Sequence, residues 1–185
     1  MAVDKYILDR NNAALLIIDI QERLAVVMDK KEMVVRNTIH LIELAKMLNT
    51  PIVVTEQYPK GLGKTLPEIQ VALPAYLPIE KISFNCCGEV SFNDQIKRLG
   101  KKKLIVTGME THICVLQTSL GLIKEGFDIH LAMDAVCSRT KANWRSGLEL
   151  IRDAGGVLTN TETVLFQLLG VAGTPEFKAV SNRIK

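Results

Sequence analysis

A chain of 185 residues has the length of one domain with a sizeable core, and 48% hydrophobic with 23% charged residues is the balance of a soluble globular protein. The net charge of +3 lies far below the basic excess of a dedicated nucleic-acid binder. No run approaches the roughly 20 apolar residues of a membrane helix.

Residues 1–12 alternate charged with apolar side chains and hold no uninterrupted signal-type core. Ala13-Ala14-Leu15-Leu16-Ile17-Ile18 follows, too short for a helix and bounded by Asn11-Asn12 and Asp19. It predicts a strand buried on both faces. The spacing of Val34, Thr38, Leu41, Ala45 and Leu48 predicts a helix over 31–48. Asn49-Thr50-Pro51 ends it, and 52–54 is the second strand.

Residues 56–78 are irregular, with Pro59, Pro67, Pro74 and Pro78 beside Gly61 and Gly63. Loops of this length inside a domain carry function or a flap, and a short helical turn after Thr65 fits here. The third strand lies within 77–84. Ser91 is placed to cap a helix whose inner face is Phe92, Ile96 and Leu99, with Gly100 closing it.

Lys101-Lys102-Lys103 precedes the fourth strand, 104–107, and reads as a solvated loop rather than a phosphate track. A helix over 111–124 carries Leu116, Leu120 and Ile123 at helical spacing, and Gly126 closes it. Residues 128–133 form the fifth strand. The next helix, 141–153, turns Trp144, Leu148 and Ile151 inward, and Gly155-Gly156 leads to a last strand at 157–159. Thr174-Pro175 opens a terminal helix with cap and proline in the favoured places.

Strands alternating with helices predict a parallel sheet covered on both faces. Ligands then bind beyond the carboxyl ends of the strands, where strand order reverses. That rim receives Asp19 from the first strand, Lys81 from the third and Cys114 just past the fourth. Cys114 falls in the first turn of its helix, with Gly108 at the turn, where unpaired N–H groups and the helix dipole favour thiolate.

The three groups suit a cysteine hydrolase. Lys81 lowers the thiol's pKa by charge, and Asp19 moves a proton between thiol and leaving group. Backbone N–H groups of the turn at Glu110 and of Cys114 hold the oxyanion. Each residue also has a plainer reading. Cys114 can pack as a small hydrophobe, Asp19 can cap a turn, and Lys81 can be solvated or simply paired with Asp19 beside an inert thiol. Cys86, Cys87, Cys114 and Cys137 show neither a disulfide framework nor paired CxxC motifs, which fits a reducing, cytoplasmic setting. Cys137 reads as structural.

Three segments in order carry a family resemblance: Leu15-Leu16-Ile17-Ile18-Asp19-Ile20-Gln21, Glu80-Lys81-Ile82-Ser83-Phe84 and Gly108-Met109-Glu110-Thr111-His112-Ile113-Cys114-Val115. Together, over about 13–170, they resemble the isochorismatase-like cysteine hydrolases. The resemblance implies one domain over 1–185 with an α/β, doubly wound three-layer sandwich. Its six-stranded parallel sheet would have the order 3-2-1-4-5-6. It also implies an Asp19-Lys81-Cys114 triad and a cis peptide between Met109 and Glu110.

Thr55-Glu56-Gln57-Tyr58-Pro59-Lys60-Gly61-Leu62-Gly63 is similar to the branch of isochorismatase domain-containing proteins, some of which carry a ribonuclease label. Nicotinamidases place Asp-x-His and further histidines after the second strand to bind metal. Here Glu56 and Tyr58 stand there, and His40, His112 and His130 lack ligand spacing, so no metal or other cofactor is expected. Siderophore isochorismatases often continue into a carrier domain, whereas this sequence stops at Lys185.

Gln21, Glu56, Tyr58, Phe84, Asn85 and His112 are the expected substrate-side residues. His112 does not face Cys114 across a helical turn, and a supporting or subunit-contact role suits it better than pairing with the thiol. The expectation is a metal-independent, homo-oligomeric hydrolase cleaving a C–N or C–O bond of a small molecule through a covalent Cys114 intermediate. A catalytically silent binding or scaffold protein is one alternative. RNA cleavage is the other, disfavoured by the lack of aromatic–basic interleaving.

Overall fold

The order of apolar runs becomes an order of strands and helices in a computed structural model that describes residues 3–184. β1 (Ala13–Ile18) leads into a short α1 (Glu22–Ala25), α2 (Lys31–Met47) and β2 (Ile52–Gln57). After α3 (Pro59–Leu62) and α4 (Pro67–Ala72) come β3 (Ile79–Lys81), a 3-10 turn (Cys86–Gly88) and α5 (Val90–Leu99). β4 (Lys103–Met109) runs through a π turn (Thr111–Val115) into α6 (Leu116–Lys124), followed by β5 (Asp128–Cys137) and α7 (Lys141–Asp153). β6 (Val157–Thr159), α8 (Thr161–Leu169) and α9 (Pro175–Arg183) end the described chain.

All strand pairings in the sheet are parallel, in the order β3-β2-β1-β4-β5-β6. β1 sits centrally and is buried throughout. Because strand side chains alternate, its Ala13, Leu15 and Ile17 pack with Val34 and Leu41 of α2, Ile69 of α4, Val164 of α8 and Val180 of α9. Its Ala14, Leu16 and Ile18 pack on the other face with Phe92 and Ile96 of α5, Leu122 of α6 and Leu148 of α7. Each fully buried Leu or Ile contributes about 1.5–3 kcal/mol. The two layers of helices therefore fix the height of every strand end relative to its neighbours.

Several boundaries differ from the sequence reading. β2 and β4 extend past their apolar cores, because Thr55-Glu56-Gln57 and Gly108-Met109 keep pairing through their backbones. Gly108 thus lies inside β4 rather than at a turn. Ser91 is not a cap: α5 starts at Val90, with Glu89 at the cap position and no side-chain hydrogen bond there. The inner face of α6 is Thr118, Ser119 and Leu122, while Leu120 is exposed. The π turn inserts an extra residue before α6, so the buried face is rotated and Leu116 and Ile123 of the expected stripe pack only at its edge. α8 escaped the reading, although Asn160 caps it and Val164, Leu165, Leu168 and Leu169 are buried.

The central contact of the sheet tolerates no side chain. Gly108 pairs with Ile18, has φ +135°, and a Cβ there would meet the Ile18 carbonyl oxygen at 2.0 Å. Gly108→Ala is therefore expected to destabilise the protein by roughly 2–6 kcal/mol, from overpacking and backbone strain together. A urea-unfolding midpoint equal to wild type would contradict this.

At the amino end of β5, His130 is 1% exposed and its Nε2 has no hydrogen-bond partner. Burial, then the nearby Lys103 charge, push its imidazole down to about 4. The unfolded chain binds this proton near the ordinary value of about 6.5, so His130 contributes stability above that pH and loses it as pH falls through 4. Wild type should lose on the order of 3 kcal/mol across this window through His130. His130→Leu should flatten that part of the profile, and identical pH profiles of the two proteins would refute the assignment.

Candidate active site

β1 is followed at once by Asp19, whose φ of +53° breaks the strand and whose side chain is fully buried. Its backbone N–H still donates to the Thr55 carbonyl at 3.2 Å. On β2, residues two apart share a face, so Thr55 and Gln57 both look toward this carboxylate's side of the sheet. The Thr55 hydroxyl donates to Asp19 Oδ1 at 2.7 Å. Lys81 closes β3, in register with Gln57. Its Nζ donates to Asp19 Oδ2 and to Gln57 Oε1, both at 2.7 Å, and to the Ser83 carbonyl at 3.3 Å.

Cys114 reaches the same point from the π turn after β4. Its Sγ lies 4.0 Å from Gln57 Oε1 and is close enough to feel the charges of Asp19 and Lys81, and the residue is 4% exposed. Asp19, Lys81 and Cys114 thus meet in one buried cluster. Both oxygens of Asp19 are already engaged, one by Thr55 and one by Lys81, which leaves a poor donor set for a cation.

The electrostatics correct one expectation. Burial, followed by the Asp19 charge, pushes the Cys114 thiol well above its ordinary value, and the opposing pull of Lys81 does not win. Lys81 does pull the thiol down by charge, as expected, but it is paired with Asp19 at 2.7 Å and is outweighed. Burial alone would lower the Lys81 pKa, but the Asp19 carboxylate outweighs it and the ammonium is held above its usual value. Burial and Asp19 together favour the protonated thiol at rest.

The peptide between Met109 and Glu110 is cis. The Glu110 carboxylate accepts from the backbone N–H of Arg139 at 3.0 Å and from its Nε at 3.2 Å. The Glu110 carbonyl accepts from the N–H groups of Ile113 and Val115 and so closes the π turn. His112 turns away from Cys114, with its Nδ1 3.0 Å from Ser138 Oγ.

The other expected substrate-side residues divide into two groups. Tyr58 and Phe84 are exposed, at 51% and 53%. Gln21 is buried, and its amide bonds the Gln57 N–H and carbonyl and the Gly63 carbonyl. Glu56 lies on the face of β2 opposite Gln57, where it accepts from the Thr65 hydroxyl at 2.8 Å and from the Tyr76 hydroxyl. It anchors the 58–66 segment and does not wall a pocket with Cys114. Asn85 accepts from the Cys87 N–H and caps the turn after β3.

The first part of the 56–78 segment, read as carrying function or a flap, is held to the 20–23 stretch. Beyond Gln21 and Glu56, the Glu22 N–H donates to the Lys64 carbonyl, Leu66 N–H to the Ile20 carbonyl, and Arg23 to the Gly61 carbonyl. His40 and His130 lie away from the cluster, and no three His, Cys, Asp or Glu side chains among the described residues gather as a metal site.

The family model described as "Isochorismatase domain" matches residues 13–163. The chain belongs to the isochorismatase family. Among its curated relatives, the secreted isochorismatase effector Isc1 of Phytophthora sojae is 37% identical over 179 residues, covering 95% of this chain and 85% of that one. The structure of MAR1 ribonuclease from Caenorhabditis elegans superposes with a TM-score of 0.89 at 34% identity, covering 96% and 91% of the two chains. YcaC from Pseudomonas aeruginosa, solved with hexane-2,5-diol and covalent acrylamide, gives 0.90 at 26% identity over 96% and 91%.

Within this family fold, sequence reasoning missed Thr55 and Gln57, the two residues that orient the ion pair. The signal was period-two alternation carried two and four positions beyond Val53. It also left Cys86 out of the site. This thiol is fully buried with its Sγ 4.0 Å from Thr55 Oγ1, and burial pushes it up to about 12.

Because the Asp19 charge raises the Cys114 pKa, Asp19→Asn should enlarge the thiolate fraction at a given pH. Iodoacetamide should therefore label Cys114 faster in Asp19→Asn than in wild type at pH 8, by roughly tenfold if the shift is one unit. Slower labelling of the variant would show that Asp19 instead promotes the thiolate at rest.

Proposed function

We propose that this protein is a cysteine hydrolase that cleaves the C–N bond of a small-molecule amide through a thioester on Cys114. The observation that carries the reading is the buried meeting of the Cys114 thiol with the Asp19–Lys81 pair, at the carboxyl ends of β1, β3 and β4. A buried cysteine needs neither carboxylate nor ammonium for packing. A nucleophile that must lose and regain a proton needs both.

The proton path follows from the electrostatics. As sulfur attacks the carbonyl carbon, its proton passes to Asp19, so no free thiolate has to form in the buried site. Negative charge appears on the carbonyl oxygen, within the turn whose Glu110 and Cys114 N–H groups serve as donors in this reading. Collapse breaks the C–N bond, and the amine leaves with the proton from Asp19. Water then gives a proton to Asp19, adds to the thioester and releases the acid, and the sulfur regains its proton. Lys81 stays charged and holds Asp19 in place throughout.

An amide fits this surround better than an ester or ether. The groups facing the sulfur, Asp19 and Gln57 Oε1, are acceptors, and a leaving amine brings N–H donors to them. The reading includes a single hydrolase domain that assembles as a homo-oligomer, supported by the exposed Ile82, Phe84 and Val90 beside the rim. Its four free thiols suit a reducing compartment such as the cytoplasm. No helix among the described residues is long and apolar enough to cross a membrane.

A screen of small amides for amine release should find turnover that Cys114→Ala lowers by roughly 10³-fold or more, with circular dichroism and unfolding midpoint near wild type. Turnover surviving in Cys114→Ala would end the proposal. RNA cleavage is the second reading, favoured by the name of the Caenorhabditis neighbour. Cys114-dependent cleavage in a gel assay, without amide turnover, would put it first.

A further inference from the structure

Beside the carboxyl end of β5, between the first residues of α2 and of α7, lies a cavity of about 360 Å³ that the proposed chemistry does not use. None of Asp19, Lys81 and Cys114 lines it. Its volume is at the lower end of small-molecule sites, roughly 300–1,000 Å³. Met33, Val136 and Trp144 give it a hydrocarbon wall. The indole N–H of Trp144 is already donated to the Met133 carbonyl at 3.3 Å, so the ring offers the cavity apolar surface rather than a donor.

The charged residues around this wall are unbalanced. Lys30, Arg139 and Lys141 face a single lining carboxylate, Asp29. Glu110 engages Arg139 through the backbone N–H and Nε alone, which leaves the two terminal nitrogens of the guanidinium free to grip a planar head in bidentate fashion. The ammonium groups of Lys30 and Lys141 have no ion-pair partner among the described residues. An apolar wall beneath two unpaired ammonium groups and the free end of a guanidinium is complementary to a molecule with a hydrocarbon body and one anionic end.

We propose that this cavity binds a small organic carboxylate, with its body against Met33, Val136 and Trp144 and its head held by Lys30, Arg139 and Lys141. The inference stands apart from the hydrolase reading. Its occupant would touch Arg139, which braces Glu110, and Ser138, which holds His112. Those contacts adjoin the turn that carries Cys114, so the site is placed to sense a carboxylate next to the reaction centre.

Trp144 is the chain's one tryptophan, so its emission reports on the cavity directly. Titration of the full chain with cyclohexanecarboxylate, which does not absorb at the exciting wavelength, should give a saturable change in emission. Cyclohexylmethanol, lacking the charge, and acetate, lacking the body, should each bind at least tenfold more weakly. The surface double variant Lys30→Met/Lys141→Met should lose at least tenfold in affinity for the carboxylate, while Cys114→Ala should bind like wild type. The proposal is overturned by unchanged emission together with no heat in calorimetry, by equal affinity for the alcohol, or by undiminished binding in the double variant. Loss of binding in Cys114→Ala would place the carboxylate at the reaction centre and overturn it as well.

Discussion

The contact on which the rest of the molecule turns is the ion pair between Lys81 and Asp19, 2.7 Å apart with both side chains fully shielded from solvent. Taking two such charges out of water costs several kcal/mol per ion, and only close geometry with further hydrogen bonds offsets it. Thr55 and Gln57 supply those bonds. The pair therefore demands four side chains from three neighbouring strands, held in fixed register. β3, β2 and β1 lie side by side in that order, which brings the strand ends to the same height. The observed register of β1, β2 and β3 places all four side chains together.

Cys114 comes from the other side of the reversal point. β1 is flanked by β2 on one side and β4 on the other, and ligands in open parallel sheets bind where chains diverge in this way. The close approach of β1 to β4 depends on Gly108, and the π turn then brings the sulfur back over the ion pair. Burial keeps that sulfur protonated. In the proposed mechanism such a site avoids a standing thiolate and releases the nucleophile only as its proton moves to Asp19. That mechanism couples the sulfur's reactivity to the presence of a carbonyl.

Much of the fold was legible in the sequence because central parallel strands are continuous apolar runs and amphipathic helices repeat every three to four residues. β1, α2 and α7 follow from those patterns, and the strand order is what the resemblance to the family implies. The polar ends of strands were harder. Thr55, Glu56 and Gln57 do not continue the apolar run of 52–54, yet they continue the strand, and alternation sends Thr55 and Gln57 to the ion pair and Glu56 to the opposite face. That one-residue distinction separated two missed site residues from one wrongly expected at the pocket. The protonated thiol was likewise invisible, because the effect of Lys81 on sulfur depends on whether Asp19 has already claimed its charge. Only coordinates in three dimensions decide that.

The central claim is that the Cys114 sulfur, working with this ion pair, bonds to the carbonyl carbon of its substrate. Acid quenching during turnover of an amide found by screening, followed by peptide mapping by mass spectrometry, tests it most directly. The account predicts an acyl mass on the peptide containing Cys114, present during turnover and gone once substrate is exhausted. Turnover with no acyl group on Cys114 at any quench time, or with the acyl group on another residue, would contradict it.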